Sequence, residues 1–205
     1  MTDPWPQSAI DHSSFDRREA VSWLATGRYG VRPAPNGLAL VQDFLNTRAS
    51  TLTGPDMLCD NATANGWAAH AVRAWSTQRG MVCEPPTLTS HDADKLRDLR
   101  NTLDNLLAAV PAVGAGHSLS AAEFAITNSC ELFWRPTGRG WRWCCGAILG
   151  EILLSQHTGT WRRLKQCRNV ECRSTFYDSS WNNGASWHNQ RTCDPAFTNH
   201  VAQQT

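Results

Sequence analysis

Residues 164–193 read LKQCRNVECRSTFYDSSWNNGASWHNQRTC, and the rest of the chain is interpreted outward from them. Cys167 and Cys172 stand with four residues between them, and so do His188 and Cys193. Thiolate and imidazole are donors that Zn²⁺ prefers, and a closed tetrahedral site forms when two short loops each supply a pair. The fifteen residues between Cys172 and His188 suffice for a turn or hairpin that brings the second pair back to the first. The expected ligands are therefore Cys167, Cys172, His188 and Cys193, with Zn²⁺ as cofactor and no coordination position left open. Two readings compete with this one: buried thiols at accidental spacing, and a Cys167–Cys172 disulfide. The disulfide finds no support in residues 1–20, MTDPWPQSAIDHSSFDRREA, which lack the basic and apolar regions of a secretion signal, so a cytoplasmic location is expected.

The same residues resemble the CGNR zinc finger, whose pattern runs C-x4-C, F-x-D-x-S-x-N, W-C-x4-C-G-N-R and then a basic helix. Cys167, Cys172, Phe176, Asp178, Ser180, Asn182, Trp187 and Cys193 occupy its positions in unbroken register. His188 stands where the family has its third cysteine, and Asp194-Pro195-Ala196 stand where it has G-N-R, with no basic tail behind them. Upstream, LALVQDFLNTR at residues 38–48 resembles the opening of the ABATE domain that commonly precedes such fingers, with Asp43, Phe44, Asn46 and Thr47 on its signature. The likeness implies a stress-type transcription regulator with a helical sensor domain and a finger that contacts DNA.

The expected fold is mainly α with a small β-hairpin. An N-terminal extension (1–36) precedes an ABATE-like helical domain (37–160), and a zinc-binding module (161–205) follows. A helical face over 15–26 with Arg28 and Tyr29 behind it reads as a docked surface helix or a lid. Further helices are expected over 38–48, over 66–78 with Trp67, Ala71, Ala74 and Trp75 on one face, and over 91–110 with Ser90 as N-cap. Residues 50–64 read as a polar loop. Ser120 with Glu123 looks like a capping box for a helix over 120–133, and the alternating Trp and Arg of 134–143 read as a hairpin. Residues 146–156, GAILGEILLSQ, are apolar nearly all round and are expected to be buried. Cys59, Cys83, Cys130, Cys144 and Cys145 fit no second metal pattern, and the last two read as strand residues on opposite faces.

Composition narrows the function classes. The net charge of +1 conceals an asymmetry, because from Ser155 onward six basic residues face three acidic ones, a net of +3 against −2 for the remainder. That sign suits contact with nucleic acid, and Arg162, Arg163, Lys165, Arg168, Arg173 and Arg191 are the candidate phosphate contacts. Against it, residues 192–205 contain no Lys or Arg, and Asp194 would present the wrong sign. The alternative is a small-molecule-binding protein or enzyme in which the zinc site is a staple and Asn46, Arg48, His70 and Arg100 line a pocket. A protein–protein adaptor is the third class. No glycine-rich phosphate loop, H-E-x-x-H helix or G-x-S-x-G elbow supports catalysis, so catalytic residues stay unassigned, and no apolar run is long enough to span a membrane. A homodimer is compatible with all of these.

Overall fold

The computed structural model describes residues 23–108, 122–126, 130 and 132–195. Helix α2 (Leu38–Leu45) is its axis, and all eight of its residues are buried. A helix enclosed on every side must satisfy its polar side chains internally. The Asp43 carboxylate accepts from Thr26 N (2.8 Å) and Trp67 Nε1 (2.9 Å). Gln42 accepts from Ala34 N (2.5 Å) and donates to Arg32 O (3.1 Å) and Thr175 O (3.2 Å). Just beyond the helix, the Arg28 guanidinium donates to Asn46 O and Arg48 O, each at 3.0 Å, and to Pro55 O at 2.8 Å. A cation is well placed on carbonyls at a helix C-terminus. Arg28 and Tyr29 thus face inward and form no lid: Arg28 holds the exit of α2, and Tyr29 is buried. Of the helix expected over 15–26, only the short α1 (Leu24–Gly27) falls within the described residues.

Around this axis pack α3 (Asn61–Arg79), α4 (Ser90–Leu107) and α5 (Trp141–His157). α3 begins five residues earlier than expected because Asp60 and Thr63 form a capping box, and it stops at Gly80 in the left-handed region, φ +62°. Trp67, Ala71, Ala74 and Trp75 are buried on it as expected, whereas His70 is exposed. α4 is capped by Thr89 instead of Ser90, in a second capping box with Asp92. Leu96, Leu99 and Leu103 bury its stripe, and Val110 lies outside the described residues.

The largest correction concerns residues 120–143. In place of a helix and then a hairpin, the chain forms the hairpin first. β1 (Ala122–Ile126) pairs antiparallel with β2 (Leu132–Pro136), Phe124 opposite Trp134 and Glu123 opposite Arg135. Glu123 does not cap a helix; its carboxylate takes the Arg135 guanidinium at 3.0 Å. Trp141-Arg142-Trp143, expected on a strand, form the first turn of α5, where Asp92 Oδ1 accepts from Trp141 N at 3.1 Å. Cys144 and Cys145 are consecutive buried helix residues whose thiols burial pushes up to about 12 and about 11, well away from reactivity. α5 is buried at residues 144–148, Glu151, Ile152 and Ser155, whereas Leu153 and Leu154, expected to be buried, are exposed.

The C-terminal module opens with a 3-10 turn (Trp161–Arg163) and continues through β3 (Leu164–Gln166), β4 (Thr175–Tyr177) and α6 (Gln190–Cys193). The core is double. Trp67, Trp75, Phe44, Leu96 and Ile148 belong to the larger cluster, and a smaller one gathers Tyr29, Phe176 and the three module cysteines, with Val31, Ala185 and Trp187 against it. No helix among the described residues is long and apolar enough to cross a membrane.

Candidate metal centre

The centre is assembled by two turns whose backbones are braced independently of any ion. Asn169 builds the first: its Oδ1 accepts from Glu171 N at 3.0 Å, and its carbonyl accepts from Cys172 N at 3.1 Å and Arg173 N at 2.9 Å. Arg173 takes φ +50° to complete the reversal. Cys167 N donates to Ser174 O at 2.8 Å, which starts the β3–β4 hairpin between the two thiols. In the second turn Asn189 caps α6 by accepting from Arg191 N at 3.0 Å, and Cys193 N reaches Asn189 O at 3.0 Å. Asn169 Nδ2 donates to Cys193 O at 3.3 Å and so ties one turn to the other.

These turns bring the ligand atoms of Cys167, Cys172, His188 and Cys193 within 4.8 Å of one another. The His188 Nδ1 atom lies 3.3 Å from Cys172 Sγ and 3.5 Å from Cys193 Sγ. Zinc–ligand bonds of about 2.3 Å to sulfur and about 2.0 Å to nitrogen require a tetrahedral S···N edge of about 3.5 Å, so these two edges are close to what Zn²⁺ needs. Nδ1 is the imidazole nitrogen that faces the sulfurs, and Ser174 Oγ lies 3.3 Å from Cys172 Sγ.

Proton chemistry leads to the same place. The hydrogen bond from Cys167 pulls the Cys172 thiol down to about 3, while that bond and burial drive Cys167 upward. Burial first, and then the negative charge on Cys172, raises Cys193. A dication bound among these sulfurs would stabilise all three as thiolates. Cys59, Cys83, Cys130, Cys144 and Cys145 remain free thiols outside the cluster.

The six cationic candidates divide into two groups. Arg163 Nη1 donates to Asp178 O (3.0 Å) and Ser180 O (2.8 Å), and Lys165 Nζ reaches Asp178 Oδ2 (2.7 Å), Asn183 O (2.6 Å) and Ala185 O (3.3 Å), so both brace the loop over 178–185. Arg162, Arg168, Arg173 and Arg191 are exposed, and none has a side-chain ion pair among the described residues. Arg168 and Arg173 line a cleft of about 650 Å³ together with Lys165, Asn183, Gly184 and Leu107 of α4. Asp194 is buried and does not face solvent. At the apex of the braced loop, Trp181 is 99% exposed.

The four residues expected to line a small-molecule pocket do not converge. Arg48 donates to Leu45 O at 3.0 Å and pairs with Asp104; Arg100 clasps Asp56 and donates to Thr47 Oγ1 at 2.8 Å; His70 is exposed on α3. Asn46 has a different task. In the β3–β4 register Lys165 faces Phe176, so Thr175 turns its N–H and C=O away from β3. Thr175 N donates to Asn46 Oδ1 at 2.7 Å, and Asn46 Nδ2 donates to Thr175 O at 2.9 Å. The Asn46 amide takes the place of a neighbouring strand and fastens the metal module to the axis of the helical body. This role crosses 129 positions of sequence, and no local pattern signals it.

Residues 163–197 match the family model of the CGNR zinc finger, so the C-terminal module is similar to fingers of that type. A search among curated proteins finds no match to the chain.

Proposed function

We propose that this chain is a transcription regulator in which Zn²⁺ at Cys167, Cys172, His188 and Cys193 organises a DNA-contacting finger held in fixed orientation by the helical body. The observation that carries the reading is the division of the finger's cations. Arg163 and Lys165 are spent on the fold, and Arg162, Arg168, Arg173 and Arg191 are exposed with no ion pair among the described residues. Phosphate neutralisation by such groups supplies most of the affinity for duplex DNA. Composition understated this surface, because Asp178 is buried in its pair with Lys165 and Asp194 is buried too, which leaves Glu171 as the module's exposed carboxylate. Trp181 adds an exposed aromatic plane on the braced loop, suited to stacking on a base or sugar. The Asn46–Thr175 joint supports the regulatory half of the proposal, since a movement of α2 would be passed to the finger.

The test is binding of the zinc-loaded chain to random-sequence duplex DNA across a salt series. Binding is expected to weaken steeply with salt, and the Arg168→Ala/Arg173→Ala variant is expected to lower the slope of log K against log [salt] by about 2. Stoichiometric zinc with no DNA binding at low salt would overturn the proposal. It would favour the second reading, a structural staple, which rests on the burial of Tyr29 and Val31 against the finger's own core.

A further inference from the structure

We propose that the β1–β2 hairpin and the adjoining face of α5 are the contact surface between two copies of this chain. The hairpin is two-faced. Residues directly opposite in an antiparallel pair project to the same side, so Phe124 with Trp134 and Ile126 with Leu132 share one face, while Glu123 and Arg135 occupy the other. The Trp134 end of the apolar face is well seated: its ring lies where Gly150 of α5 has no side chain, with centroids 6.1 Å from Trp75. The other end is not. Phe124 is 62% exposed, Ile126 72%, Leu132 69% and, on α5, Leu153 60%.

Between hairpin and helix runs an apolar groove of about 190 Å³ lined by Phe124, Trp134, Leu149, Leu153 and Leu154, with no charged residue in its lining. Phe124 and the neighbouring leucines and isoleucine together leave on the order of 600 Å² of apolar surface open, near the top of what a monomer shows as one patch. It also approaches the roughly 800 Å² that each partner contributes to a standard stable interface.

The area and the absence of charge select the occupant. An uncharged patch has no electrostatic complement to seek, and its best match is another copy of itself, placed by a two-fold axis so that each Phe124 enters the groove of its partner. The sheet favours the same arrangement. It has two strands, and the outer edge of β1 has no ladder partner among the described residues, so β1 can pair antiparallel with β1 of the second copy and extend the sheet across the axis. The metal module lies outside this surface, which leaves both fingers available in the pair.

The test is sedimentation equilibrium of the full zinc-loaded chain, without nucleic acid, from about 1 to about 100 μM, concentrations at which an interface of this size is populated. The expected result is a species of twice the 22.7 kDa chain mass. Phe124→Glu combined with Leu153→Glu is expected to raise the dissociation constant at least about a hundredfold, with helical circular dichroism and zinc content unchanged. Leu153→Lys alone, at an exposed helical position that the fold does not depend on, gives the same answer should the double variant misfold. A single-chain mass over the whole range overturns the proposal, including the case in which residues 122–126 are protected from hydrogen exchange because another segment of the same chain covers them. A two-chain mass that neither variant disturbs overturns it as well. Because DNA is absent, either failure leaves the DNA-binding reading standing.

Discussion

Replacing Asn46 by Ala would test whether the metal module and the helical body are one cooperative structure. The Asn46 amide makes three hydrogen bonds, to Thr175 N at 2.7 Å, Thr175 O at 2.9 Å and Thr26 Oγ1 at 3.4 Å. Thr175 is fully buried, so water cannot replace what is lost. Its carbonyl keeps Gln42 Nε2 at 3.2 Å, but its N–H becomes an orphan. A buried unsatisfied donor costs about 1–3 kcal/mol, and each further lost hydrogen bond about 1 kcal/mol, for a total of at least about 3 kcal/mol. Against a stability of about 5–15 kcal/mol this is a large fraction, and with a urea slope of about 2–3 kcal/mol/M it lowers the midpoint by about 1 M. The assay is urea unfolding of the zinc-loaded protein, followed both by helical circular dichroism and by release of zinc to a colorimetric chelator. Both signals should move together, because the substitution weakens the seam between the two parts. His70→Ala, at an exposed site on α3, should shift the midpoint by less than about 0.3 M. If Asn46→Ala shifted it no further than His70→Ala while retaining zinc, the seam would not be where stability resides.

Three other perturbations test separate parts of the structure. Cys172→Ser should abolish stoichiometric zinc and unfold at least residues 161–195, whereas His188→Cys should retain zinc with four thiolates, as metal analysis of the dialysed proteins would show. Gly150→Ala should destabilise by about 1–3 kcal/mol and loosen the hairpin, because the new methyl group would overlap the Trp134 ring; a thermal midpoint equal to that of wild type would contradict the packing. On acidification, Asp56 and Asp178 matter most. Burial acts upward on both, but the Arg100 clasp on Asp56, and the Lys165, Ser180 and Ala185 bonds to Asp178, outweigh it and hold both carboxyls below the ordinary 3.8. Their stabilisation is complete above that value and lost as pH falls through their lower folded values, so urea midpoints should drop below about pH 4, less steeply in Asp178→Asn. Asp43, raised by burial, has the opposite sign: its contribution is largest below 3.8 and declines as pH rises through its folded value.

The clustering of Cys167, Cys172, His188 and Cys193 was legible because these residues obey a local chemical rule. Two donors on a short turn can chelate whatever the rest of the chain does, and Cys167/Cys172 and His188/Cys193 each satisfy that rule within six residues. The buried stripe of α4 was legible for a similar reason, since Leu96, Leu99 and Leu103 repeat over a long helix. Residues 120–143 misled because each local signal had a second meaning. Glu123 three positions after Ser120 looks like a capping box, yet Phe124, Ile126, Leu132 and Trp134 carry a period of two that becomes clear only once the strands are paired. The Trp-Arg-Trp of 141–143 looks like a strand, yet the Asp92 carboxylate, 49 residues upstream, accepts from the first free N–H and makes it a helix start. Asp60 and Thr63 were a readable capping box, and counting 50–64 as loop missed it. Arg48 and Arg100 looked like ligand-seeking cations because their partners, Asp104 and Asp56, stand 56 and 44 residues away.

These partners give the residues around 43–48 one physical meaning. Asp43 holds α1 and Trp67, Asn46 holds β4, Thr47 receives Arg100, and Arg48 reaches Asp104. Four of six consecutive positions therefore fasten the N-terminal segment, α3, α4 and the finger to a single buried helix and its exit. Polar groups at such a depth are costly unless fully matched, and they hold one arrangement in preference to others. An apolar α2 would bury as well but would leave the finger free to settle at several angles against the body. The polar set removes that freedom, and the DNA-contacting surface proposed above would need it removed: arginines on a swivelling module would have to lose orientational entropy on every encounter, whereas arginines on a clamped module have lost it already in folding. The Asn46→Ala variant should for this reason weaken DNA binding beyond its effect on stability, even where the finger retains its zinc. Fluorescence anisotropy at a temperature where the variant is fully folded measures that loss, and affinity equal to wild type there would reduce the joint to a structural device.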